Sequence, residues 1–127
     1  MSENNVYKIL RTNEWEEALQ TGSILSEVDI KDGFIHLSTA VQLAATLSFF
    51  FKDSETVFLL QLDMEKIDIN KLIFEESYPN DGLRKGSFPH LYSELTTDKI
   101  SNVWTLERGA FILPQEVILQ AENVTGK

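Results

Sequence analysis

The chain contains two histidines, and each sits in the same local setting: His36 in "GFIHLST" (33–39) and His90 in "FPHLYS" (88–93). Imidazole is the side chain that most readily exchanges a proton near neutrality, and it also binds metals and hydrogen-bonds phosphates and ribose hydroxyls. Side chains alternate between faces along a strand, so Phe34, His36 and Ser38 fall on one face, as do Phe88, His90 and Tyr92. If both strands belong to one sheet, the two faces line a common cleft. Aromatic walls with a few convergent polar groups suit a flat, polar ligand such as a nucleotide. The same pattern also describes an ordinary half-polar sheet face, in which each histidine is a satisfied strand residue.

Other chemistries have weaker support. Glu75, Glu76 or Glu94 could join the histidines around a metal, but there is no short His-x-x-x-His spacing and no cysteine, so no metal is expected. Ser38 and Ser93 lie near histidines, yet no G-x-S-x-G elbow accompanies them. Phosphate has two candidate sites. Ser38 and Thr39 open a helix whose free N–H groups favour an anion, although capping alone accounts for them. Arg84 and Lys85, in a Gly-containing loop before His90, could clamp a phosphate or stand as solvated loop charge. No P-loop or dinucleotide fingerprint occurs. Glu107 adds one more carboxylate that spacing cannot distinguish from the others, and Trp15 and Trp104 read as core.

The elements that must position these groups follow from pattern. "VYKILR" (6–11) reads as a strand, and "TNEWEEALQTG" (12–22) as a helix, with an Asn13/Glu16 capping box and Gly22 as C-cap. The segment "VDIKDG" reads as turn-rich. A strand Phe34 to Ser38 then feeds a second helix in "STAVQLAATLSFFF", started by a Thr39/Gln42 capping box. "TVFLLQLD" (56–63) is apolar almost throughout, as a central strand covered on both faces would be. "KLIFEE" (71–76) is a further strand and "SYPNDGLRKGS" (77–87) the longest loop. Pro89 cannot donate to a ladder, which places "FPHLYSEL" at a sheet edge or a strand end. "TTDKI" fits one helical turn, strand-like runs flank Gly109, and the last residues read as frayed.

Bulk properties set the frame. With 127 residues and 43% hydrophobic side chains, one domain with a real core is expected, ordered over about residues 6–117. The fold class is α/β (α+β mixed): a mixed sheet of about five to seven strands with two main helices. No apolar run reaches membrane-spanning length, and the polar, acidic N-terminus lacks signal-peptide form, so a cytoplasmic protein without membrane association is expected. Twenty acidic against eleven basic residues give a net charge of −9, which disfavours extended nucleic acid as a partner but leaves room for a small nucleotide-like ligand.

"GFIHLST" followed by a Gln-containing helix, then "FPHLY" some fifty residues later, resembles a small bacterial family of unknown function, domain-of-unknown-function family 952. The opening "VYKIL" and "EWEEALQTG" fit it as well, so the likeness spans roughly residues 6–117. The resemblance implies an ADP-ribosyltransferase-like fold, closer to the RNA 2′-phosphotransferase branch than to the toxin branch. It implies NAD, or a related ADP-ribosyl or phosphorylated nucleotide, as ligand or substrate. On that likeness His36 contacts the ribose, His90 is the second motif histidine and Tyr92 stacks; Arg84 and Lys85, read from their own loop, would hold phosphate. Glu75 matches an acidic residue after the "KLIF"-like strand. Ser93 and Glu94 depart from the Gly-Pro that usually follows the second motif. Transfer of an ADP-ribosyl or phosphate group, a non-catalytic nucleotide-binding module, and a structural or partner-binding domain are the readings left open.

Overall fold

The computed structural model describes residues 5–51, 54–76, 87–107 and 117. Among the described residues, three α-helices and seven strands form a mixed α/β domain, as composition and pattern predict. The strands make two sheets rather than one, and every pairing is antiparallel.

The first sheet has the order β3-β1-β4-β7, from Ser38–Thr39, Val6–Arg11, Thr56–Leu62 and Ile100–Glu107. Its two inner strands are apolar on both faces because both faces are covered. Val6 and Leu10 of β1 and Leu60 and Leu62 of β4 pack on the side of the second sheet, against Ala18 of α1 (Thr12–Thr21) and against Ile35, Leu72 and Leu91. Tyr7, Ile9, Val57 and Leu59 point the other way, onto Leu43 and Leu47 of α3 (Leu43–Phe50). Burying a leucine in either layer is worth about 2 kcal/mol, so the first layer is the main apolar contact that joins the two sheets, and the second holds α3 on the far face of the first sheet. The second sheet has the order β2-β6-β5, from Ile35–His36, Ser87–Leu91 and Leu72–Glu76.

Three departures from the sequence pattern have physical causes. First, "VDIKDG" is helical: α2 (Glu27–Asp32) starts at a Ser26 cap, whose Oγ accepts from the Asp29 N–H while Asp29 Oδ2 accepts from the Ser26 N–H, and it ends at Gly33 in the left-handed region (φ 86°). Second, α1 is capped by Glu14, whose Oε1 accepts from the Arg11 N–H at 2.9 Å, rather than through Asn13 and Glu16. Gly22 ends α1 as expected, at φ 83°.

The third departure concerns Pro89. It lies in β6, the middle strand of the second sheet, not at an edge. A strand residue sends its N–H and C=O to the same side, and the Pro89 carbonyl accepts from the Leu37 N–H at 3.0 Å. The missing Pro89 donor therefore faces β2, where Leu37 receives no bond in return and the ladder stops. The segment expected as one strand from Phe34 to Ser38 is split at that point. Ile35 and His36 pair with β6, and Ser38 and Thr39 pass to the first sheet and pair with β1. The remaining expected elements "TTDKI" and "TVFLLQLD" are a single 3-10 turn (Thr97–Lys99) and the central strand β4. Of the loop expected over 77–87, Ser87 belongs to β6; residues 77–86, the run beyond Gly109 and the C-terminal tail lie outside the described residues.

Candidate functional site

His36 and His90 are directly paired across β2 and β6, and Ile73 of β5 stands opposite His90 on its other side. The predicted common face is therefore real: the two imidazole centroids are 5.3 Å apart, edge to face. Phe34 covers them. Its ring centroid is 4.6 Å from His36, 4.3 Å from His90 and 5.1 Å from Tyr92, so one phenyl ring touches all three. Gly33 makes this possible, because a left-handed residue ending α2 turns Phe34 back over the strand it precedes.

Each imidazole is gripped by carboxylates. His36 Nδ1 lies 2.8 Å from Asp29 Oδ1, and the His36 backbone N–H donates to that same oxygen at 2.9 Å. His36 Nε2 lies 3.0 Å from Asp32 Oδ2. A carboxylate only accepts, so the ring satisfies both contacts when both nitrogens carry protons. His90 Nδ1 lies 2.7 Å from Glu75 Oε1, which also accepts from the Tyr92 hydroxyl at 2.8 Å. That assigns the His90 proton to Nδ1 and leaves Nε2 without a carboxylate partner among the described residues.

Behind His36 stands a buried charge pair. Lys8 of β1 is 2% exposed, and its Nζ is 2.7 Å from Asp29 Oδ2, 3.0 Å from the His36 carbonyl and 3.3 Å from Ser26 Oγ. All three ammonium protons therefore have acceptors. Burial by itself would push the Asp29 carboxyl up, but the hydrogen bond from His36, the Lys8 ammonium and the Ser26 N–H together hold it well below the usual carboxylate range. Burial pulls the Lys8 ammonium down, and Asp29 opposes that pull. Glu75 is held below its ordinary value by the hydrogen bonds from His90 and then Tyr92, and its contact with Tyr92 pushes the phenol up.

Exposure separates the roles these groups can take. His90 is only 5% exposed, sealed under Phe34. The surface is formed by Tyr92 (43%) and Ile73 (40%), with the His36 edge and the Asp32 and Glu75 carboxylates partly open. A flat ring has an apolar and aromatic rim to rest on, and hydrogen-bonding oxygens and nitrogens within reach of it.

Other residues singled out in the sequence lie elsewhere. Phe88 is buried, two residues along β6 from His90. Ser38 is buried in the first sheet, with its Oγ 3.1 Å from Thr46 Oγ1, and the break at Leu37 takes it out of the face shared by Phe34 and His36. The Thr39 N–H donates to Gln42 Oε1, the expected capping contact, and Gln42 Nε2 donates on to the Ser87 carbonyl, tying this turn to β6. Glu94 accepts from Ser23 and Glu107 from Thr56, both outside the ring cluster. Arg84 and Lys85 lie outside the described residues. Lys8, Asp29 and Asp32 were not foreseen. The signals were a lone lysine in the otherwise apolar "VYKIL" and the Ser26-x-x-Asp29 spacing ahead of Gly33.

The comparisons with known proteins agree with this architecture. A family described as protein of unknown function (DUF952) matches residues 9–103. The crystal structure of protein CC0527 from Caulobacter crescentus, a structural-genomics target, is 32% identical to this chain, covers 93% of it and 99% of its own length, and superposes with a TM-score of 0.74. The solution NMR structure of the same protein is 33% identical over 91% of this chain and 93% of its own, with a TM-score of 0.69. No curated protein matches the chain. No helix among the described residues is long and apolar enough to cross a membrane.

Proposed function

Given that the chain belongs to the DUF952 family, proteins of unknown function, we propose that it binds NAD or a related ADP-ribosyl or phosphorylated nucleotide at the Phe34, His36, His90 and Tyr92 cluster. The observation that carries this reading is the Phe34 ring packed on both imidazoles and on Tyr92, with each imidazole fixed by a carboxylate. Such a rim accepts the face of a base or nicotinamide ring, while His36 and the Glu75 and Tyr92 oxygens supply hydrogen bonds to ribose hydroxyls. The ADP-ribosyltransferase-like assignment of the fold belongs to this proposal.

Charge restricts the pose. Asp29, Asp32 and Glu75 surround the rings, and Lys8, behind His36, has its donors saturated. The sugar and uncharged or cationic ring therefore sit at the cluster, and the phosphates point away from its carboxylates.

A transfer reaction is the second reading, favoured by Glu75. This half-exposed carboxylate is oriented through Oε1 by two donors and can stabilise positive charge at a ribose C1′ as nicotinamide departs with the bonding electron pair. An acceptor oxygen would then attack C1′ and give up its proton to a base. His90 can serve as that base only when Phe34 moves aside.

Thermal shift against NAD, ADP-ribose, mononucleotides and 2′-phosphorylated oligonucleotides tests the binding reading. A rise in melting temperature with NAD or ADP-ribose that disappears in His36→Ala is expected, and no response at millimolar concentration defeats it. Nicotinamide release from NAD separates the transferase from the binding module.

A further inference from the structure

We infer that Lys8 is a positioning residue that governs the protonation of His36 through Asp29. This deepens the nucleotide reading, on which its relevance to binding rests, but its test requires no ligand.

Lys8 does not belong to the second sheet. It projects from β1 of the first sheet, between Val6 and Leu10 in the apolar layer that joins the two sheets. An ammonium in such a place loses its hydration and is retained only with full compensation. Its three contacts all converge on His36 or on what holds His36: the His36 carbonyl directly, Asp29 Oδ2, and Ser26 Oγ at the cap of the helix that carries Asp29. The two oxygens of Asp29 are divided accordingly. Oδ2 serves Lys8 and the Ser26 N–H, and Oδ1 serves the His36 ring and backbone.

This division has an electrostatic consequence. The charged groups facing the His36 ring are Asp29 and Asp32 from α2, with His90 from β6 beside them. Two aspartates, one at each ring nitrogen, both draw a proton onto the ring. A buried positive charge 2.7 Å from Asp29 cancels much of that aspartate's pull. The ring is thereby left able to release its outward Nε2 proton, or to exchange Asp32 for a ligand oxygen, while Asp29 keeps Nδ1 and the ring plane in place.

The experiment is an NMR pH titration of the ring resonances of the two histidines in the full chain, with amide spectra monitoring the fold. In Lys8→Met the His36 ring is expected to titrate about one pH unit higher than in wild type. Lys8→Gln, which keeps a hydrogen-bonding group, is expected to move it in the same direction. Lys8→Arg restores the charge and is expected to return it toward wild type, while Asp29→Asn moves it the opposite way. An unchanged or lowered titration in folded Lys8→Met or Lys8→Gln overturns the inference. Loss of nucleotide response in wild type with the upward shift present refutes the binding reading alone.

Discussion

A single oxygen, Asp29 Oδ1, accepts both the backbone N–H and the ring Nδ1 of His36, at 2.9 and 2.8 Å. Main chain and side chain of the same residue are thus pinned at one point, which fixes the ring's position and its tautomer together. The energetic roles of the surrounding groups follow from that point.

Removing half of the buried pair leaves the other half uncompensated. Asp29→Asn is expected to lower the unfolding free energy by about 3–5 kcal/mol, measured by urea denaturation. The double variant Lys8→Met/Asp29→Asn is expected to lose clearly less than the two single losses added together, because no stranded charge remains. Additive losses would mean that the two residues do not share one interaction.

Acid weakens this fold through the same carboxylate. The folded-state value of Asp29 lies below its ordinary 3.8, so folding binds fewer protons than the unfolded chain does. The stabilisation is complete at higher pH and is lost as pH falls through 3.8 toward the folded value. Urea midpoints are expected to drop steeply between about pH 5 and pH 2, and Asp29→Asn to flatten that slope. Glu75 is depressed as well and adds in the same direction, but its exposure makes it a minor contributor.

Phe34 is the lid of the ring cluster. Phe34→Ala is expected to remove three ring contacts, costing about 1 kcal/mol or more in stability, and to open His90 to solvent. Faster modification of His90 by diethyl pyrocarbonate, followed by mass spectrometry, is the readout. If Phe34 also carries the ligand ring, nucleotide binding falls in the same variant.

Asp32 competes for the outward nitrogen of His36. Asp32→Ala is expected to raise affinity for ADP-ribose several-fold, as read by titration calorimetry, because a ligand oxygen no longer has to displace a carboxylate. Reduced affinity would instead make Asp32 a ligand contact.

Gly33 allows the turn that brings Phe34 back. At φ 86° a Cβ meets no atom within 4 Å, so Gly33→Ala has only backbone strain against it, about 1–2 kcal/mol. A loss of that size in denaturant midpoint is expected.

The face holding Phe34, His36, His90 and Tyr92 could be read from alternation because each run is locally extended and the two motifs pair in register. The central strand β4 is legible as an almost wholly apolar run, and β1 as the opening strand. Two things were hidden. The division into two sheets depends on a hydrogen bond that Pro89 cannot make to Leu37, a relationship between residues about fifty apart. The charge chain depends on α2, only six residues long and too short for periodicity to reveal, and on Lys8, whose partner lies on another element. An isolated lysine in an apolar strand carries no information about which carboxylate will meet it.

Leu37 is the only residue between the last pairing of one sheet and the first of the next. Inserting or deleting a single residue between His36 and Ser38 would force a register shift in one sheet or the other, turning His36 out of its cluster or Ser38 off β1. The connection has no slack to absorb such a change, so chain length at this point is as constrained as any side chain in the cluster.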